Sequence, residues 1–110
     1  MMKTASVGEF EELVLLVVAG LNGEAYGVVI QERLTENLAK IINISAVHVA
    51  LKRLEDKGFV KSLFGGITEE RGGRRKRFYT ITANGKRVLD AQYKVRTTLY
   101  QQIPTLNFGK

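Results

Sequence analysis

The 110-residue chain has single-domain length, and its 45% hydrophobic and 25% charged residues are the balance of a folded protein able to bury one modest core. Seventeen Lys and Arg against eleven Asp and Glu leave a net charge of +6, a surplus suited to a polyanion such as nucleic acid or an anionic membrane face. The chain has no cysteine, which excludes disulfides, thiolate zinc sites and a cysteine nucleophile and suits a reducing, cytoplasmic setting.

Ser6, Val7, Gly8 and Glu9 have capping-box spacing and predict a helix start. Phe10, Leu13, Val14, Val17 and Leu21 then fall on one helical face, with LNG at 21–23 as the stop. The apolar run LVLLVVAGL at 13–21 is too short to span a bilayer and follows Glu9, Glu11 and Glu12, so it is expected to be a core helix and not an anchor or signal peptide. A second helix opens near Tyr26, with Tyr26, Ile30, Leu34 and Leu38 stacked four apart and Gln31, Glu32, Thr35 and Glu36 outward. IINIS at 41–45 reads as a very short strand, after which Ser45 caps a third helix.

That helix, SAVHVALKRLEDKG, turns Val47, Ala50, Leu51 and Leu54 inward and ends at Gly58. FVKSLFGGI and KRFYTIT read as two strands around the charged turn TEERGGRR, with Tyr79 and Ile81 on the core side and Lys76 and Phe78 on the other. Thr82 caps the last helix, ANGKRVLDAQYKVRTTLYQQI, which Pro104 ends. The expected fold class is mainly α with a small β-hairpin, a winged helix-turn-helix over residues 1–82, a dimerisation helix over 83–104 and a loose tail over 105–110.

This layout suits duplex DNA, because the second of two packed helices can enter the major groove. The third helix (45–57) turns outward Ser45, Val49 and Lys52, with Ala46 and Arg53 on one flank and His48 on the other. Small residues permit close approach, Val49 offers a tip for a thymine methyl, and the cations suit guanine or phosphate. Lys52 and Arg53 alone read equally well as a solvated face. The wing, 68–77, shifts the balance: Arg71, Arg74, Arg75, Lys76 and Arg77 sit on an arm that can straddle a phosphate ridge or reach a minor groove. Localisation signals and RGG-type RNA-binding segments share this composition but lie in low-complexity stretches, whereas this run is flanked by strand-like FVKSLF and FYTIT.

On the last helix Val88, Val95 and Leu99 make one apolar stripe, and Leu89, Tyr93 and Tyr100 another. One stripe suffices to dock the helix on its own domain, and the second needs a partner. The alternative is that the extra stripe covers its own subunit, with TLNFGK folding over it.

GEFEELVLL, AYGVVI, SAVHVALKRLEDKGFV, ERGGRRKRFYTIT and ANGKRVL, in that order over residues 8–90, resemble the PadR family of prokaryotic transcriptional regulators. The resemblance implies a winged-helix homodimer, usually a repressor, in which each C-terminal helix packs on the first and the C-terminal helix of its partner. Phe10, Leu13 and Ile103 then join Val88, Leu89, Tyr93, Val95, Leu99 and Tyr100 as expected interface residues. Family members often carry Tyr where His48 stands, so His48 reads either as a phosphate contact or as packed against Glu55 or the second helix. Some short members hold a flat aromatic effector between the terminal helices by a Trp. This chain has no Trp, and Tyr93, Tyr100 and Phe108 are its substitute platform or simple packing. An enzyme, a metal site or a cofactor is not expected, for want of a phosphate loop or a ligand cluster. The rival reading is a winged-helix module that binds protein or RNA.

Overall fold

The computed structural model describes residues 7–67 and 75–109. Its elements are α1 (Glu9–Leu21), α2 (Gly27–Leu38), α3 (Ile44–Asp56), β1 (Val60–Ile67), β2 (Arg75–Ile81) and α4 (Ala83–Gln101).

α1 lies at the centre, packed on α2, α3, β2 and α4, so it buries more than one stripe. Val14, Leu15 and Val18 are buried, while Phe10, Leu13, Val17 and Leu21 pack around them partly covered. Its N-cap is Gly8, not the expected Ser6, which lies outside the described residues. Only the reciprocal half of a box forms there: the Gly8 amide donates to Glu11 Oε1 at 3.4 Å, and glycine has no side-chain oxygen to accept in return.

The strand expected at 41–45 does not form, because α2 takes its backbone groups. Gln31 Nε2 donates to the Ile42 carbonyl at 2.8 Å, and the Ile42 amide donates to Thr35 Oγ1 at 3.3 Å. Asn43 replaces Ser45 as the cap of α3, its side chain accepting from the Ser45 amide at 2.7 Å. Val47, Ala50, Leu51 and Leu54 are buried as their spacing requires, and Gly58 takes the left-handed φ of 82° that ends the turn after α3.

β1 and β2 pair antiparallel, with Val60 opposite Ile81, Ser62 opposite Tyr79 and Phe64 opposite Arg77, and an irregularity between Phe64 and Ile67. A one-residue third strand, absent from the sequence reading, comes from the α1–α2 turn, where the Tyr79 amide donates to the Ala25 carbonyl at 2.8 Å. Thr82 then joins hairpin to α4. Its Oγ1 accepts from the Gly85 amide at 3.0 Å and donates to the Gly58 carbonyl at 2.7 Å. Gly85 sits where a Cβ would collide with the Phe59 carbonyl oxygen and lie 2.8 Å from Ile81 Cγ1.

Glu11 pins α1 to the end of α3. It accepts from Lys57 Nζ at 2.9 Å and lies 3.8 Å from Arg53 Nη1. Burial pushes its carboxyl upward, but the Lys57 and Gly8 hydrogen bonds and the charges of Lys57 and Arg53 outweigh it and hold the group below its ordinary value.

Gly85→Ala lowers the unfolding free energy by about 1–3 kcal/mol by overpacking, whereas Gly20→Ala in α1, with open space around it, raises it by about 0.5–1 kcal/mol; urea unfolding reads both. Because the folded state favours ionised Glu11, its contribution is whole above the ordinary carboxylate value of about 4 and is lost as pH falls through the lowered one. Glu11→Gln is therefore less stable than the parent at pH 7, and the gap between their urea midpoints closes below about pH 4.

Candidate nucleic-acid interface

The buried side of α3 fixes what its other side presents. Ser45, Ala46, His48, Val49, Lys52 and Arg53 are all exposed, Val49 at 51%. Lys52 makes a local pair with Asp56 at 3.3 Å, an exposed contact of little energy that leaves the ammonium available. Arg53 is held only loosely by Glu11 at 3.8 Å. The His48 ring leans on the opening of α2: a Cβ on Gly27 would stand 2.8 Å from its Cε1. Of the two structural positions the sequence left open for His48, this is the one beside α2 and not the one against Glu55.

Glu55 is engaged with the wing. It accepts from Arg77 Nη2 at 3.3 Å and from Ser62 Oγ at 2.7 Å, while Arg77 Nε donates to Ser62 Oγ at 3.0 Å. The Arg77 guanidinium also stands over the rings of Phe64 and Tyr79, with centroids at 5.4 and 5.8 Å. Burial raises the Tyr79 hydroxyl above its ordinary value, Arg77 opposing and Glu55 adding to the rise. On the other face of the hairpin Lys76 Nζ lies 4.5 Å from the Tyr26 ring centroid and donates to its hydroxyl at 3.4 Å, with Phe78 edge-on to the same ring at 5.4 Å.

The expected wing cations thus divide. Arg71 and Arg74 lie outside the described residues. Arg75 opens β2 opposite Ile67. Lys76 and Arg77 fasten the root of the hairpin to α2 and α3. Tyr26, Glu55 and Ser62 are the residues sequence reasoning missed in this role. Their signal was the strand register: it puts Ser62 and Phe64 on the Arg77 face, immediately after the turn that brings up Glu55.

The expected interface residues also divide, along α4 and not around it. Leu89 is 7% exposed, and Val88, Phe10 and Leu13 pack on the core of their own subunit. Tyr93 (72%), Val95, Leu99, Tyr100 (75%) and Ile103 project clear of it. The tail does not fold back over the subunit, for Leu106 and Phe108 are exposed too. Among the described residues there is no group of three His, Asp or Glu able to hold a metal, and no helix is long and apolar enough to cross a membrane.

No curated protein matches the chain. Solved structures do. A PadR-like transcription factor of Bacteroides fragilis is 20% identical, with 84% of each chain covered and a TM-score of 0.73. A PadR family transcription regulator of Clostridium difficile R20291 is 20% identical over 84% of this chain and 93% of that one, with a TM-score of 0.66. RosR of H. salinarum is 18% identical over 93% of this chain and 84% of its own, with a TM-score of 0.70. At these identities the likeness establishes the fold, four helices and a two-stranded hairpin in the winged-helix arrangement. The profile of the transcriptional regulator PadR-like family matches residues 14–91, well over half of the sequence. The chain belongs to that family, whose members are transcriptional regulators and not enzymes.

Proposed function

We propose that the protein binds duplex DNA as a two-fold dimer at a pseudo-palindromic operator and represses transcription there. α3 enters the major groove, and the wing lies on the backbone or in the adjacent minor groove. The observation that carries this reading is the Glu55–Arg77–Ser62 linkage, which mounts the basic arm directly on the helix that presents Ser45, Val49, Lys52 and Arg53. In a dimer joined through the exposed half of α4, the two α3 helices read half-sites about one DNA turn, roughly 34 Å, apart. An effector held between the α4 helices, on Tyr93 and Tyr100, releases the operator only by preferring one separation of the recognition helices over another.

Selection of bound fragments from random duplex DNA tests the whole reading, with a paired, inverted motif expected. Arg74→Ala leaves that motif unchanged and lowers the slope of log affinity against log salt by about 0.9, the value for one phosphate contact. Lys52→Ala or Val49→Ala instead changes the preferred bases, each lost base contact being worth about 1–3 kcal/mol of discrimination. Sequence-blind binding with no enriched motif would favour the protein- or RNA-binding alternative.

A further inference from the structure

Ion pairs between the described elements form a chain from α4 to the wing. Arg96 of α4 donates to Glu12 of α1 at 3.1 Å; the neighbouring Glu11 accepts from Lys57 at the end of α3; and Glu55 of α3 accepts from Arg77 of β2. Glu11 and Glu12 are each only 12% exposed, so both carboxylates are held between elements and not displayed on the surface. As consecutive residues of one helix they point about 100° apart, which lets α1 grip α3 with one and α4 with the other.

The Glu12–Arg96 pair occupies a particular place on α4. The apolar docking of that helix ends at Leu89, and one turn on Gln92 Oε1 accepts from the Val7 amide at 3.4 Å. Arg96 is one turn further out, amid the exposed Tyr93, Val95, Leu99 and Tyr100. Beyond Leu89 the helix runs on for about twelve residues, or about 18 Å, meeting the body there through the polar contacts of Gln92 and Arg96. A tilt of about 10° about Leu89 moves the far end by about 3 Å, close to the rise of one base pair.

We infer that Glu12 and Arg96 are positioning residues that set the half-site spacing the dimer accepts, by fixing the angle of α4 against α1 and, through Glu11, against α3. The inference rests on the dimeric operator reading above. Neither residue needs to touch DNA. An ion pair whose arginine is this exposed adds little to stability, so its effect belongs in the soft tilt of α4 and not in the melting temperature.

The test uses the full chain and a series of duplexes carrying the selected half-sites with their centre spacing changed by one and two base pairs. The parent binds one spacing best. In Glu12→Gln and Arg96→Gln the preference for that spacing over its neighbours falls by about two- to fivefold, the range expected of one exposed ion pair, while the preferred bases within a half-site stay the same. Arg96→Lys, which keeps the charge, retains most of the parent's discrimination. Thermal unfolding confirms that each variant is folded, and the two sites of substitution, on different helices, guard against a local defect in one. The proposal is overturned if both Gln variants keep the parent's spacing profile, if they lose affinity equally on every duplex, or if Arg96→Lys behaves as Arg96→Gln. A parent chain with no preferred spacing overturns the operator reading itself, before any variant is compared.

Discussion

The rotation of α3 about its own axis is the constraint from which the rest of this molecule follows. Val47, Leu51 and Leu54 are fully buried and Ala50 nearly so. Each large apolar side chain withdrawn from water contributes about 1.5–3 kcal/mol. Turning the helix by one residue would expose several of them at once, and an exposed polar contact, at about 0–1 kcal/mol, could not offset that. The face with Ser45, Val49 and Lys52 is therefore presented without any contribution from its own side chains to holding it there. Substitution on that face can change its chemistry while the fold stays the same, which is what the proposed recognition role requires.

The wing depends on the same helix for a different reason. A two-stranded hairpin is marginal alone in water, and this one is anchored on both faces. Tyr79 pairs with Ala25 and is buried, Arg77 and Ser62 grip Glu55, and Phe78 and Lys76 close on Tyr26. Two cations of the basic run, Lys76 and Arg77, thus serve in the framework. A guanidinium that stacks on rings and meets a carboxylate has a structural role whatever else it touches, so the composition of the run alone does not assign the task of each Lys and Arg.

What the sequence disclosed follows the range over which each signal acts. The inward residues of α3, the Gly58 turn, the Thr82 cap and the hairpin were legible because each rests on a period or a cap within a few residues. The Ala25 bridge, the capture of Ile42 by Gln31 and Thr35, and the Glu55–Arg77 pair were not, since each needs a partner brought up by tertiary packing. The shift from Ser6 to Gly8 and from Ser45 to Asn43 at two helix starts has a local origin. In both places residues competent to cap stand two apart, and a propensity shared by both cannot choose between them.

α4 shows the limit of periodicity most directly. Two stripes around a helix invite the reading that one faces home and the other faces a partner. The helix divides by length instead, because its first turns are drawn against the hairpin by Thr82 and Gly85 and its later turns meet the body through the polar Gln92 and Arg96. Val88 and Leu89 meet their own core on both stripes, and Tyr93, Val95, Leu99 and Tyr100 are bare on both. A helical wheel carries no information about where along its axis the neighbouring body ends. Here that point is set by residues that are not apolar at all, the glycine that admits the Phe59 carbonyl at one end and the arginine that meets Glu12 at the other. In the proposed dimer the exposed length of α4 is the length available for a partner, so the close approach at Gly85 governs how the far end of the same helix can be used.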